Sequence, residues 1–398
     1  MENTQQAVTK LWNRSFVLVT LVNFLICTNT FMLMATLPVF IQHVGGSKLL
    51  AGIIGGMLTL TGFFARPFFG DMLDRMGRKP ILISGLAILL LVTALYSFTS
   101  SLICLFLLRI LQGLGWSAAS TATSTIASDL IPAGRRAEGM GYFGVSSSLA
   151  MALGPALGLY LVEQSGYFML YLNAAVFAGI SLCIGLRSSY AVHGLASRLP
   201  RKCEPSHRRL IEPTALEPSI LIFLISTTYA GIVTFIPSYA AYKGIEGIGS
   251  FFVLYAFALL LTRTFSGRVA DRLGMTRVVV PGMVLLVLAL VLLMKAASLG
   301  AFMVAAIFYG LGFGSIQPVL NALVITLAPA ERRGSANATF LAGLDMGVGL
   351  GAIAWGAVAQ QLGFIHIYSL SAVLIVAALV FYYIAVCRSA EQSVCDAS

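Results

Sequence analysis

The sequence predicts an all-α membrane protein of twelve transmembrane helices, arranged as two pseudo-symmetric six-helix bundles. Three observations carry that expectation. Of 398 residues, 58% are hydrophobic and only 10% are charged, a balance far outside that of chains folding in water. Apolar runs long enough to cross a hydrocarbon core, about 20 residues each, recur from residue 16 to residue 387 with short polar breaks. The second half also repeats the first at a constant offset.

In order, the expected spans are 16–41, 49–70, 80–99, 102–127, 138–162, 167–187, 217–241, 247–267, 277–296, 299–326, 335–360 and 364–387. Each is continuously apolar, whereas a barrel strand is about 10 residues long and alternates in polarity, so helices are the only serious reading. The first span follows a polar stretch, is too long for a secretory signal and lacks a small-residue cleavage site, so it is read as an uncleaved anchor.

The polar breaks set the expected orientation. Lys10, Arg14, Arg75, Arg78, Lys79, Arg135, Arg136, Arg187, Arg268, Arg272, Arg277, Arg332, Arg333 and Arg388 fall on one side, with more in the linker, while the other side holds Lys48, Lys243 and Lys295. Basic residues stay cytoplasmic, which places both termini inside a multi-pass cell-membrane protein. The net charge of +10 then reports topology rather than nucleic-acid binding. The lipid bilayer is the expected partner, with no nucleic acid, and the chain is expected to be a monomer.

The repeat aligns without gaps at an offset of 197 residues: Arg66, Gly70, Asp74, Arg75, Gly77, Gly115, Gly154 and Tyr171 recur as Arg263, Gly267, Asp271, Arg272, Gly274, Gly312, Gly351 and Tyr368. Six helices is an even number, so both halves enter the membrane from the same side, and parallel repeats place a ligand site near midplane between them. The expected domains are 1–187 and 217–398, joined by a tether at 188–216 in which Pro200, Pro205 and Pro213 stand among basic and polar residues.

Cys27, Cys104, Cys183, Cys203, Cys387 and Cys395 show no CxxC spacing, so neither a disulfide framework nor a metal site is expected. No phosphate-binding GxxxxGK[ST] loop appears, and no cofactor is expected. Clustered catalytic groups are also lacking, so the chain is not expected to be an enzyme.

Among the acidic residues, only Asp345 lies deep inside a predicted span. It stands ten residues into span 11, about 15 Å from its start and near the middle of a core about 30 Å thick. Desolvation there favours the neutral acid, as a group that loads and releases a proton requires. The alternative is a permanent pairing with an arginine, or capping of polar backbone beside Gly343, Gly347, Gly349 and Gly351. Its repeat counterpart, Ser148, is uncharged.

The loop after span 2 reads Gly70-Asp71-Met72-Leu73-Asp74-Arg75-Met76-Gly77-Arg78-Lys79, and Gly267 to Gly274 repeat it as GRVADRLG. Here the chain resembles the major facilitator superfamily, whose signature is a G-x3-D-R-x-G-[RK]-[RK] loop, over essentially its whole length. That resemblance implies a gating role for Asp74, with Gly70, Arg75, Gly77, Arg78 and Lys79 around it, and for Asp271 and Arg272 in the second copy, which lacks the terminal basic pair. A purely topological role for Arg78 and Lys79 stays open.

Arg109-Ile-Leu-Gln112-Gly113 is similar to the family's R-x-x-Q-G motif, which implies participation of Arg109 in proton movement, against a structural hydrogen-bonding role. Gly154-Pro155-Ala156-Leu157-Gly158, preceded by Gly141, resembles the antiporter motif of drug-exporting members, although Ala150 and Leu159 stand where that pattern has glycine. The family's cavity-lining helices carry Asn23, Asn29, Gln112, Trp116, Tyr229, Tyr309, Gln317 and Asn321 here, each of which is as well suited to helix packing as to ligand contact.

The combined reading is a proton-coupled efflux antiporter of small hydrophobic or amphipathic compounds, working by alternating access with protons as the coupling ion. A metabolite or sugar exporter or facilitator of the same superfamily is the alternative. A membrane sensor is the more remote one; it would be expected to carry a soluble output domain, which the short polar stretch after Arg388 does not offer.

Overall fold

In the computed structural model, residues 12–132, 136–188, 212–328 and 333–395 are described. Their helices are α1 Arg14–His43, α2 Lys48–Met76, α3 Arg78–Tyr96 and α4 Leu102–Leu130, then a helical run Arg136–Arg187. After a short 3₁₀ turn at Pro213–Ala215 come α7 Leu216–Tyr242, α8 Gly249–Leu273, α9 Thr276–Lys295, α10 Leu299–Leu327, α11 Arg333–Gln361 and α12 Phe364–Cys395. The expected tether falls largely on 189–211, outside the described residues.

The run Arg136–Arg187 is 52 residues long, about 78 Å at 1.5 Å per residue and more than twice the thickness of a bilayer core. It breaks at Gly166, where φ 76° and ψ 177° are not helical, giving α5 (136–165) and α6 (167–187). Among the described residues eleven apolar helical stretches are long enough to span a membrane, and with this one long enough for two crossings they supply the twelve expected spans. The fold is the all-α, two-repeat membrane architecture that composition and periodicity predict.

The repeat is visible in backbone geometry. Gly77 (φ 91°, ψ 164°) joins α2 to α3, and Gly274 (φ 91°, ψ 150°) joins α8 to α9. At a positive φ of this size a side chain would collide with its own backbone, so only glycine takes these two positions without strain.

By contacts the chain groups into two compact units, Met1–Met34 with Thr61–Arg208, and Ala35–Leu60 with Arg209–Ser398. In the first, α3 packs on α4 and on the α5–α6 run. Gly85 of α3 sits so close to α4 that an added Cβ would lie 2.6 Å from the Ala119 amide nitrogen and 2.9 Å from the Gly115 carbonyl oxygen. Apolar side chains from α1, α3 and α4, among them Phe16, Val19, Leu82, Leu86, Ala118 and Ile126, fill the core around this crossing.

In the second unit α9 packs on α10 and α12, α7 on α11 and α12, and α8 on α10. The glycine contact recurs at the repeat offset: Gly282 of α9 faces Ser315 and Ile316, and a Cβ on Gly312 of α10 would lie 2.7 Å from the Gly282 carbonyl oxygen. Gly154 and Gly351 are a second such pair. A Cβ on Gly154 would lie 2.9 Å from Phe31 Cβ on α1, and one on Gly351 would lie 2.9 Å from Thr227 Cα on α7.

The tip of the α1–α2 hairpin belongs to the second unit through the same kind of contact. A Cβ on Gly52 would collide with the Ala352 carbonyl oxygen and lie 2.9 Å from Gly356 Cα, and one on Gly56 would collide with the Gly349 carbonyl oxygen. Glycines on both helices let α2 approach α11 almost backbone to backbone, as small residues do in membranes.

Gly85→Ala is therefore expected to destabilise the protein by about 1–3 kcal/mol through overpacking. Gly144→Ala, where nothing lies within 4 Å of the added Cβ, should be neutral or stabilising because alanine is the better helix former. Thermal unfolding in detergent checks this, and equal midpoints for both variants would contradict the assigned α3–α4 contact.

Candidate functional site

The junction after α2 is braced by the basic pair of the loop motif. Arg78 Nε pairs with Asp129 Oδ2 near the end of α4 at 3.1 Å, and its Nη1 donates to the Leu73 carbonyl at 3.1 Å. Lys79 Nζ donates to the Leu186 carbonyl at the end of α6, 2.9 Å away, where carbonyls unsatisfied by the helix welcome a cation. Arg75 pairs with Asp71 one turn earlier at 2.8 Å.

The second repeat has Met275 and Thr326 at the positions of Arg78 and Asp129, so both partners of that ion pair are missing together. Thr276, at the position of Lys79, shares a 2.9 Å hydrogen bond with Tyr382 of α12, which keeps the α9–α12 tie in uncharged form. Arg272 is exposed, Gly70 and Gly267 have open space around them, and the side chains of Asp74 and Asp271 lie outside the described residues.

Within the first unit, Arg109 is fully buried in α4. Its Nη1 donates to Gln112 Oε1 at 2.9 Å, and Tyr96 Oη of α3 donates to the same oxygen at 3.1 Å. Tyr96 stacks on Tyr171 of α6 with ring centroids 5.5 Å apart. Nε and Nη2 of Arg109 have no hydrogen-bond partner among the described residues. A guanidinium placed in a low-dielectric interior is costly and marks a functional position by default. Tyr96 and Tyr171 join this site although only Arg109 and Gln112 are singled out by their motif; the recurrence of Tyr171 as Tyr368 was the available signal.

Asn23 of α1 is a packing hub. Its Nδ2 donates to Ser146 and Ser147 of α5 at 3.0 and 2.8 Å, and its Oδ1 accepts from Thr123 of α4 at 3.3 Å. Asn29 Nδ2 donates to the Ala174 carbonyl of α6 at 2.6 Å. Trp116 is only half-buried, edge-on to Phe31 at 6.5 Å. In α5, Gly141 is exposed, while Gly154, Pro155 and Gly158 are buried.

In the second unit, Tyr229 of α7 stacks on Phe313 of α10 at 5.0 Å and faces Tyr255 of α8 at 6.3 Å. Tyr309 shares a 2.8 Å hydrogen bond with Thr228, and both Tyr229 and Tyr309 are buried. Gln317 accepts from Arg263 Nη2, and Asn321 Nδ2 donates to Asn337 Oδ1 of α11 at 3.2 Å; both remain half-buried. Arg263 thus turns toward α10.

Asp345 is 9% exposed. It stands four residues, one helical turn, from Gly349, whose face of α11 takes Thr59 and Leu60 of the hairpin tip. Lys48 closes the tip: its Nζ donates to the Ala359 carbonyl at 3.3 Å and lies 4.3 Å from the centroid of the Phe364 ring, while its amide donates to Gln360 Oε1 at 3.1 Å. Gln42 adds a 2.8 Å bond to Ser238 of α7. Lys243 similarly donates to the Ala296 carbonyl at 2.7 Å, so two of the three basic residues outside the basic side sit on helix C-termini.

A family model described as Major Facilitator Superfamily matches residues 19–247 and 218–394. The chain is similar to the staphylopine export protein of Staphylococcus aureus strain Mu50, with 22% identity over 364 residues that cover 88% of this chain and 91% of that one. It is likewise similar to the quinolone resistance protein NorA of Staphylococcus aureus strain MRSA252, with 23% identity covering 80% of this chain and 83% of that one. Among solved structures, a POT family transporter in complex with a thioalcohol-conjugated peptide aligns with a TM-score of 0.77 at 15% identity, over 93% of this chain and 96% of that one, a likeness of fold.

Removing the hub side chain separates packing from ligand contact. Asn23→Ala is expected to lower stability by about 1 kcal/mol, the scale of interhelical hydrogen bonds in membranes, read as a lower unfolding midpoint in detergent. A wild-type midpoint would show that these bonds do not hold α1 to α4 and α5.

Proposed function

This chain belongs to the Major Facilitator Superfamily and is a membrane transporter of small molecules rather than an enzyme, and from that premise we propose that it exports small hydrophobic or amphipathic compounds from the cell in exchange for protons. The proposed setting is the cell membrane with both termini in the cytoplasm, a reading that the distribution of basic residues supports. The printed functions of the relatives, staphylopine export and quinolone resistance, support the outward direction.

The observation that carries the coupling is the place of Asp345. It is buried in α11 on the helix face that, one turn on, packs Gly349 against Thr59 and Leu60. We assign this buried acid to carry the coupled proton, and the packing of the hairpin tip on α11 to open and close beside it. Protonation and the packing of α2 on α11 are then two readings of one equilibrium, the requirement for alternating access driven by a proton gradient.

Arg109 is assigned a part in proton movement through Nε and Nη2, the two guanidinium nitrogens without a hydrogen-bond partner among the described residues. Trp116, Gln317 and Asn321, half-buried, are the candidate substrate contacts. Asn23, Asn29, Gln112, Tyr229 and Tyr309 are committed to helix-to-helix bonds and stacks, and act by shaping the site. Asp74 and Arg75, with Asp271 and Arg272, are assigned to gating at the α2–α3 and α8–α9 junctions, where Arg78 and Lys79 hold the first junction rigid. In α5, Gly154 gives the close approach to α1 that an antiporter-type helix with Gly141, Pro155 and Gly158 would use.

Adding lipophilic cations and uncharged amphiphiles to purified protein in weakly buffered detergent should acidify the medium. Asp345→Asn should abolish that acidification while leaving ligand binding intact. Binding to both proteins with no proton signal from either would overturn proton antiport through Asp345 and leave a facilitator or a differently coupled exporter.

A further inference from the structure

The first unit carries a groove of about 670 Å³ between the start of α1 and the end of α6, lined by residues from Arg14 to Leu18 and from Val176 to Ser188. We propose that it binds one anionic phospholipid, with the headgroup phosphate on Arg14 and Arg187 and an acyl chain lying along Gly179.

The apolar part of the groove faces hydrocarbon. On α6, Leu172, Val176 and Ile180 form a stripe at four-residue spacing that is exposed although the span is strongly apolar, and Val17 and Leu21 of α1 are exposed beside it. Gly179 opens the floor: a Cβ there would meet only Leu90 Cδ1 of α3, at 3.8 Å. An exposed apolar trough inside a span is filled by an acyl chain, since water gains nothing there.

The charged end selects the headgroup. Arg14 opens α1 and Arg187 closes α6, so both lie at the same membrane surface. Both are exposed, and no carboxylate lines the groove. Two guanidiniums suit a phosphate, which each can hold through paired N–H groups, and the N–H groups at the start of α1 add a favourable field. Without a carboxylate the ammonium of a zwitterionic head has no counter-charge, so an anionic lipid is preferred.

Cys183 lies in the groove and is exposed, while Cys104 is exposed at the start of α4, outside it, so the two thiols form a probe and its reference. Wild-type protein in mixed micelles is titrated with phosphatidylglycerol or phosphatidylcholine, and N-ethylmaleimide labelling of each peptide is followed by mass spectrometry. Phosphatidylglycerol should slow labelling of Cys183 relative to Cys104, and phosphatidylcholine should not. The Arg14→Gln/Arg187→Gln variant should need about thirty-fold more phosphatidylglycerol, at roughly 1 kcal/mol per basic residue. Equal protection by both lipids, unchanged protection in the variant, or protection by inorganic phosphate alone would overturn the assignment, the last by showing a site for a water-borne anion. The comparison of lipids on the wild type decides the matter even if the variant fails to accumulate.

Discussion

Helices in hydrocarbon gain little by burying apolar surface on one another, because lipid is as apolar as leucine, so close packing and shared polar side chains must hold them together. The protein meets that constraint twice over with the same device. Gly85 against Gly115 and Gly282 against Gly312 bring α3 to α4 and α9 to α10 at backbone distance. Gly154 on α1 and Gly351 on α7 do the same one helix further out. Where backbones do not meet, polar groups do: Asn23 ties α1 to α4 and α5, and Trp355 Nε1 donates to the Thr227 carbonyl of α7 at 2.7 Å.

On this symmetric packing some charged groups recur, as Arg66 does in Arg263, and others do not. Arg109 has Ala306 as its repeat counterpart, and Asp345 has Ser148. The Arg78–Asp129 brace is replaced at both ends by uncharged residues. Buried ionisable groups are costly in a membrane, and two repeats with identical packing needs have no structural reason to keep them in one copy each. Arg109 and Asp345 are therefore two buried charged positions for which the repeat supplies no charged counterpart, which supports the roles proposed for them.

The hairpin tip connects these themes. Gly52 and Gly56 lay α2 on α11, Lys48 and Gln42 fasten the end to helix carbonyls and to Ser238, and Asp345 stands one turn along the same α11 face. At Gly52 and Gly56 the contact is made with the backbone of α11, and at Gly349 with the side chains of Thr59 and Leu60.

The number of spans, their helical character and the duplication were legible in the sequence, because span length is set by bilayer thickness and the repeat by a constant offset. Gly77 and Gly274 were legible as members of the repeated loop motif, and their positive φ came from the structure. Arg109, Gln112 and Asp345 stood out because polar residues inside long apolar runs are rare. Only the tertiary structure decided what they touch: that Tyr96 and Tyr171 close around Arg109, that Asp129 answers Arg78 from another helix, and that Asn23 and Asn29 bind helices. It also decided that the α1–α2 tip groups with the second half. Those outcomes depend on which faces of distant helices meet, and an apolar run gives little sign of its facing partner when lipid and protein reward the same side chains.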